Sequence, residues 1–213
     1  MEGPSSPFDD LHASEAAVIP CWSCKGPVQP VTPFCETCSA VQPPGQLDHF
    51  QRMGLDISFD VNVTDLDQRY FDMQRRLHPD RFATRSPQEK SLSQQQATAI
   101  NDAYETLKEP LKRADYLVHL KGTDVLPEGC NLVNDTDLLM ETMEMREALA
   151  EAETPEAVDA LSKRATDDIN HCIEQLSKLF GDENIEGACK LTTRLKYLKK
   201  LAEETRIQRM KMI

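Results

Sequence analysis

The sequence lacks any apolar run that approaches the roughly 20 residues of a membrane-spanning helix, so no transmembrane segment is predicted. Basic residues are also scarce, because 24 lysines and arginines stand against 36 acidic residues and give a formal net charge of −12. Such an acidic chain is poorly suited to non-specific nucleic-acid binding.

The first twenty residues contain no lysine or arginine, and they therefore match neither a signal peptide nor an arginine-rich transit peptide. A cytoplasmic location, or a presequence missing from this sequence, would each explain that composition. Glycine, proline, serine and acidic residues dominate the same stretch, and few apolar anchors accompany them. We therefore predict a disordered tail over residues 1–20.

Cysteine occurs seven times, and four of the seven form two Cys-x-x-Cys pairs: Cys21, Cys24, Cys35 and Cys38. A secreted disulfide scaffold would show denser, even pairing, so this pattern indicates a reducing compartment and a metal site. Each pair forms a tight turn that lets two thiolates face one ion, and two such turns complete the four-sulfur shell of structural zinc. Segment 21–46 is proline-rich and too short for a hydrophobic core, so the metal would supply its folding energy.

The same four cysteines would suit three other roles. An iron–sulfur cluster uses the same four thiolates. A thioredoxin-like redox pair is disfavoured because no βαβ pattern surrounds it. A nucleic-acid-binding ribbon is disfavoured because Lys25 is the single basic residue of the segment. Zinc remains the preferred interpretation.

The middle of the chain, residues 47–121, is organised around His78-Pro79-Asp80. A core-facing stripe runs up to this tripeptide at spacings of four, three and four residues: Leu66, Tyr70, Met73 and Leu77. Pro79 ends that helix because proline lacks an N–H group and disfavours helix at the preceding residue. A new helix is signalled by an N-cap, a first-turn proline and a capping-box glutamate in Ser86-Pro87-Gln88-Glu89. The tripeptide is therefore predicted to lie on a short loop between two helices.

Charge reverses around that loop, since residues 69–90 hold six basic residues against three acidic ones. On the first helix Arg69 and Arg76 are predicted to project from one flank and Arg75 from the far side. An ordinary polar turn beside a solvated helix face would also explain these residues. No nucleophile or third orienting group lies near His78 and Asp80 in the sequence, so no enzyme is predicted.

Together with Asn101-Asp102-Ala103-Tyr104 and the spacing of Leu107, Pro110 and Arg113, this region resembles the J domain. The resemblance implies a co-chaperone that docks on a DnaK-type chaperone and stimulates its ATP hydrolysis. The residues that it implies for docking are His78, Pro79 and Asp80 with Arg69, Arg75 and Arg76.

After a predicted linker at 122–131, residues 132–213 contain three further helical patterns. They run from Thr136 to about Ala152, from near Pro155 to Gly181, and from about Asn184 onward. Because the connections are short, we predict an antiparallel three-helix bundle. The expected fold class is all-α: a J domain and a three-helix bundle, preceded by a small zinc-binding segment.

The first bundle helix carries a second apolar patch, on a different face from the residues predicted to face the core. Leu139, Met140 and Met143 form the patch, and Glu144 and Glu147 border it. Tyr197 on the third helix likewise lies off its own core face. A contact with the J domain or with a second copy in a homodimer would explain the patch, as would a partner-binding surface.

The stretches Leu138–Glu147 and Arg194–Leu198, combined with the J domain, resemble the HscB-type co-chaperones of iron–sulfur cluster assembly over about 47–213. The four-cysteine segment is similar to the extension of animal and plant members. This resemblance implies a mitochondrial matrix location and a bundle that holds the cluster scaffold protein. The implied scaffold-binding residues are Leu139, Met140, Met143, Glu144, Glu147 and Tyr197. The rival interpretations are a general J protein for unfolded clients and a zinc-ribbon redox or nucleic-acid-binding protein.

Overall fold

The structure is a computed structural model that describes residues 18–122 and 136–212, without the side chains of 136–139. Nearly all of the predicted tail and of the predicted linker lies outside these ranges. The elements are β1 Ile19–Pro20, β2 Pro27–Val28, α1 His49–Met53, α2 Val63–Leu77, a 3-10 turn Pro79–Phe82, α3 Pro87–Lys108, α4 Pro110–Gly122, α5 Thr136–Ala150, α6 Pro155–Gly181 and α7 Ile185–Lys211. The all-α fold class is confirmed. Among the described helices, none is both long and apolar enough to cross a membrane.

The helix boundaries follow from capping chemistry that the sequence displays. Asn62 begins α2 by accepting hydrogen bonds from the backbone N–H groups of the next turn, at 3.0 and 3.2 Å. Before α3, Ser86 Oγ accepts from the N–H of Glu89 at 3.2 Å, and the Ser86 N–H donates to the Glu89 carboxylate at 3.3 Å. This reciprocal pair is the predicted capping box. Gly54 ends α1 in the left-handed conformation, with φ of 65°.

By packing, the described residues fall into two compact units. The first comprises 18–57 and 61–108, and the second comprises 58–60, 109–122 and 136–212. This division places α4 in the second unit, whereas the sequence-based range 47–121 groups it with the hairpin. The reason is that α4 packs against α7, and the Glu109 carboxylate at its start pairs with Lys199. The short connection before Pro110 does not indicate whether α4 packs against the hairpin or against α7.

The first unit is built on an α2–α3 hairpin. The helices are antiparallel, because Ser93 contacts Leu77 near the loop while Lys108 contacts Asp67 at the far end. Their interface buries mainly aliphatic side chains: Leu66, Met73, Leu77, Ile100, Ala103 and Leu107. The fully buried Ser93 donates its hydroxyl to the Leu77 carbonyl at 2.7 Å and satisfies an end group of α2 just before the loop.

The second unit is dominated by α6 and α7, which pack along one another. Apolar side chains of both helices face this interface, with complete burial at Val158, Ala165, Cys172, Leu176 and Leu195. Cys172 is therefore a core residue, and burial raises the pKa of its thiol. Helix α5 lies against both long helices, and its residues Met145 and Leu149 are buried.

Candidate docking surfaces and metal centre

The four-cysteine segment consists of two turns with the same backbone pattern. In the first turn, the N–H of Cys21 donates to the Gly26 carbonyl and the N–H of Lys25 donates to the Cys21 carbonyl. The second turn repeats both bonds from Cys35 to Ala40 and from Ser39 to Cys35. Lys25 and Ser39 each take the left-handed backbone conformation, with φ of 63° and 59°. One local structure thus presents each Cys-x-x-Cys pair.

The two turns bring the four sulfur atoms to within 4.8 Å of one another, as a group that could hold a metal ion. The sulfur atoms of Cys21 and Cys38 are 3.7 Å apart, and so are those of Cys24 and Cys35. A tetrahedral site with metal–sulfur bonds of about 2.3 Å requires sulfur separations of about 3.8 Å. The donor set therefore fits a four-coordinate ion. The short contacts join cysteines of different turns, which is the arrangement of a metal shell.

The surroundings of the sulfur atoms favour thiolate at two of them. The side-chain amide of Gln42 donates to the Cys21 sulfur at 3.3 Å, and the N–H of Ser23 lies 3.4 Å from it. Burial raises the pKa of Cys21, but hydrogen bonds from backbone N–H groups and neighbouring thiols outweigh it and lower the pKa to about 6. The pKa of Cys35 is lowered for the same reasons. Metal ligation requires the thiolate form.

The predicted loop is a 3-10 turn that begins at Pro79, directly after α2. His78 is the last residue before it, and its Nδ1 atom accepts the N–H of Asp80 at 3.3 Å. The Asp80 carboxylate lies 3.6 Å from the same nitrogen, and both side chains are exposed. This hydrogen bond uses Nδ1 as an acceptor, so a neutral imidazole would carry its proton on Nε2. The structure thus presents all three loop residues at the surface of the first unit.

The three predicted arginines differ in their contacts. Arg69 is engaged with its own unit, because its guanidinium donates to the Gly54 carbonyl at 2.6 Å and to Asp65 at 2.9 Å. Arg75 is exposed and pairs with Asp72 one turn earlier. Arg76 lies over the ring of Phe34, with 4.9 Å between its guanidinium carbon and the ring centroid. Arg75 and Arg76 therefore remain the more accessible pair.

The predicted scaffold surface lies on one face of α5. Met140 and Met143 are 57% and 59% exposed, which is unusual for large apolar side chains. Glu144 and Glu147 are exposed on the same face, at helical spacings of one and two turns from Met140. The side chain of Leu139, the remaining member on this helix, lies outside the described residues.

Tyr197 is half-buried on α7, one turn after Arg194. Arg194 holds α5 to α7 by a two-pronged bond to Glu141, with N···O distances of 2.6 and 3.1 Å. Glu141 directly follows Met140, so this ion pair fixes the helix turn that carries the exposed methionines. The pair was not predicted from the sequence, because the two residues are far apart in the chain.

A cleft beside the 3-10 turn was likewise not predicted. It has a volume of about 340 Å³ and is lined by two rings, three arginines and a serine: Phe34, Ser39, Arg76, Arg81, Phe82 and Arg85. The cluster of basic residues at 69–90 was the sequence signal for the arginines. Nothing in the sequence connects Phe34 and Ser39 to them.

Comparison with known proteins identifies relatives over most of the chain. A family profile described as the HSCB C-terminal oligomerisation domain matches residues 134–206. The iron–sulfur cluster co-chaperone protein HscB of Mus musculus is 39% identical over 184 residues, which cover 83% of this chain and 75% of that protein. Its Homo sapiens counterpart is 35% identical over 193 residues, covering 89% and 82%.

Solved structures agree with these matches. The crystal structure of human co-chaperone HscB superimposes with a TM-score of 0.81 at 35% identity, covering 88% of this chain and 96% of that one. The chaperone HscB from Vibrio cholerae gives a TM-score of 0.69 at 34% identity, covering 78% and 100%. The relatives are named as co-chaperones and not as enzymes. The chain therefore belongs to the HscB family of iron–sulfur cluster co-chaperones.

Proposed function

We propose that this protein is an adaptor that binds an iron–sulfur cluster scaffold protein and a DnaK-type chaperone at the same time. The second unit binds the scaffold. The first unit stimulates the chaperone's ATP hydrolysis, which promotes cluster transfer to acceptor proteins. By family resemblance we assign this activity to the mitochondrial matrix, with the cytoplasm as the alternative.

The observation that supports the proposal is that each unit exposes one candidate surface of distinct chemistry. His78, Pro79 and Asp80 form an exposed turn beside Arg75 and Arg76. Basic side chains steer a protein towards an acidic partner, and a turn stiffened by proline loses little entropy on binding. These features support a chaperone-docking role for the turn and the arginines, with Arg69 contributing through its hold on α1.

The scaffold role of the second unit rests on α5. Met140 and Met143 are exposed, and methionine adapts to irregular partner surfaces. Glu144 and Glu147 would select for a partner with basic groups around an apolar centre. Leu139 and Tyr197 complete the proposed site by family resemblance. A homodimer contact through the same face is the competing use of this surface.

We propose zinc as the ion of the four-cysteine segment. Four sulfur donors within 4.8 Å of one another match a structural zinc site, which is tetrahedral and leaves no position open for a substrate. Cys21, Cys24, Cys35 and Cys38 would all ligate it as thiolates. The ion would supply the folding energy of the segment and no chemical step.

The testing experiment measures steady-state ATPase of a purified DnaK-type chaperone with this protein and with a cluster scaffold protein. Wild type is expected to stimulate hydrolysis, and the scaffold is expected to increase the effect. His78→Gln should abolish stimulation while leaving the unfolding curve unchanged, because His78 is exposed and outside the core. In calorimetric titration, Met140→Ala with Met143→Ala should weaken scaffold binding by more than about tenfold, since two interface anchors contribute roughly 1–3 kcal/mol each.

Met210→Ala is the matched control for the methionine variant, because Met210 is 55% exposed on α7 outside the proposed surface. It should leave scaffold affinity unchanged. A folded wild type that binds no scaffold would remove the adaptor function and leave a J protein with another client. Unaltered stimulation by His78→Gln would remove the proposed role of the turn.

A further inference from the structure

The four-cysteine segment is seated on the helical hairpin of the first unit. The side-chain amide of the buried Gln96 on α3 donates to the Gln42 carbonyl at 2.9 Å. Arg52 on α1 donates to the Pro44 carbonyl at 3.0 Å, and Arg76 covers the Phe34 ring. These contacts come from three helices, so the segment has a defined position relative to the 3-10 turn.

The cleft of about 340 Å³ lies between this segment and the turn. One wall belongs to the segment and contains Phe34 and Ser39. The other wall contains Arg76, Arg81 and Arg85, and the buried ring of Phe82 lies with them. No carboxylate is among the lining residues. The cleft therefore combines positive charge with aromatic surface.

The three arginines have further N–H donors beyond those used in their described contacts. Arg81 uses Nη1 for the carbonyl of Arg75 at 3.0 Å, and Arg76 faces a ring. Within residues 18–122 and 136–212, none of the three forms an ion pair with a carboxylate. A guanidinium presents five N–H donors in a fork that matches a carboxylate. Three such groups around one cleft favour a ligand that carries more than one acidic side chain.

The position of the cleft identifies the partner. Arg81 and Phe82 belong to the 3-10 turn that starts at Pro79, so the cleft is continuous with the proposed chaperone-docking surface. We propose that an acidic segment of the DnaK-type chaperone occupies this cleft, with its carboxylates on the arginines and the four-cysteine segment forming one wall of the docking site. The proposal rests on the proposed function and extends it to residues of the metal-binding segment.

The test measures the concentration of this protein that gives half-maximal stimulation of chaperone ATPase at fixed ionic strength. Arg85→Glu reverses a charge inside the cleft, and Ser39→Glu places a carboxylate there from the opposite wall. Each should raise the half-maximal concentration roughly tenfold, which corresponds to about 1.4 kcal/mol of binding free energy. His78→Gln should instead abolish stimulation at every concentration, so the two effects are separable.

Two control variants match these changes. Lys90→Glu makes the same charge change on an exposed α3 residue outside the cleft, and Ser39→Gln adds the same volume as Ser39→Glu without charge. Lys90→Glu should stay within about twofold of wild type because distant surface charges are screened. Ser39→Gln should raise the half-maximal concentration less than Ser39→Glu does, because it adds no charge. A measurement of bound metal checks that the Ser39 variants keep a folded four-cysteine segment.

If Arg85→Glu is no worse than Lys90→Glu, the overall field and not the cleft binds the chaperone, and the proposal is wrong. If Arg85→Glu weakens stimulation but Ser39→Glu does not, the four-cysteine segment forms no part of the docking surface, which also overturns it. A wild type that gives no stimulation would instead contradict the proposed function.

Discussion

The two units expose proposed recognition surfaces that are constructed in different ways. In the first unit, the surface is a turn whose conformation is fixed by Pro79 and by the hydrogen bond from the Asp80 N–H to His78. In the second unit, it is a helix face whose exposed side chains are the flexible thioethers Met140 and Met143. The first surface therefore has a fixed backbone conformation that presents charged side chains. The second surface has a fixed helix, but its methionine side chains can adapt their conformation to a partner.

This difference suits the two proposed partners. A rigid charged turn accelerates encounter and sets orientation, because electrostatic complementarity acts mainly on association rate and specificity. Methionine side chains instead gain affinity by repacking around a partner of fixed shape. An adaptor that must trigger one partner and carry the other has use for both designs.

The two units also differ in the interactions that stabilise the four-cysteine segment of the first unit and helix α5 of the second. The four-cysteine segment has a very small core of its own, with Cys21, Val28, Cys35 and Ala40 buried and Trp22 packed against them. Two of the four buried residues are candidate metal ligands. Helix α5, by contrast, is held by apolar contacts to α6 and α7 and by the Arg194–Glu141 ion pair.

Metal removal should give the largest effect and sharpen this contrast. A strong chelator under reducing conditions should unfold the four-cysteine segment and leave both sets of helices folded, because only the segment depends on the ion. Trp22 is the single tryptophan and donates its ring N–H to the Val41 carbonyl at 2.6 Å. Its fluorescence emission should shift to longer wavelength while the helical circular dichroism signal persists.

Cys35→Ser should reproduce the emission shift without chelator, since Cys35 is a buried candidate ligand. Ser23→Ala is the matched control, because only the backbone N–H of Ser23 approaches a sulfur atom. An emission spectrum that is the same with and without metal would show that the segment is held by its helix contacts and not by the ion.

The sequence predicted the local features of this fold well because those features depend on residues that are adjacent in the chain. Ser86 and Pro155 mark helix starts through capping and first-turn chemistry, and the structure begins α3 and α6 there. Helix α5 ends at Ala150 and not at about Ala152 as predicted, although Ala152 is buried.

Long-range packing accounts for what the sequence did not predict. Phe34 meets Arg76 and Glu141 meets Arg194 across large chain separations, and no periodicity encodes such contacts. Arg69 illustrates the same point, since one of its acceptors is the backbone carbonyl of Gly54, which carries no side-chain signal. The predicted site residues themselves remain predictions until the partners are tested.

Removing the Arg194–Glu141 pair should have an intermediate effect. Arg194→Met keeps much of the side-chain volume but leaves Glu141 without its two-pronged partner. Both side chains are 30% exposed, so solvent screening limits the expected loss to about 1 kcal/mol of unfolding free energy. Scaffold affinity should fall by a few-fold as well, because the helix turn that carries Met140 loses its anchor. Urea unfolding and calorimetric titration measure the two effects.

Arg206→Met is the matched control for Arg194→Met. Arg206 pairs with Glu203 within α7, where the two side chains are 63% and 52% exposed, so the pair joins no two helices. Its loss should cost less unfolding free energy than the loss of the Arg194–Glu141 pair, because solvent screens an exposed ion pair. Equal losses from the two variants would mean that α5 is held by apolar packing alone, which would weaken the contrast between the units' means of support.

The smallest effect should be a pH dependence that the two units share. In the second unit, burial raises the pKa of Glu109, but hydrogen bonds from Lys199 and from the N–H groups of Lys112 and Leu111 outweigh it, so the pKa is lowered. In the first unit, hydrogen bonds from Tyr104 and Lys108 lower the pKa of Asp67. Each carboxylate therefore stabilises its unit above the unfolded-state pKa of about 4 and loses that contribution as pH falls through the folded-state value.

Glu109→Gln and Asp67→Asn should each reduce the unfolding free energy at pH 7, by no more than about 1 kcal/mol for the half-buried Glu109. Both differences from wild type should shrink below about pH 4, because the wild-type carboxyl groups are then protonated as well. Equilibrium unfolding at pH 7, 5 and 3 measures this. If the difference persists at pH 3 for Glu109→Gln, its cause is the altered cap of α4 and not the charge, and the two units would then differ in acid response as they do in recognition.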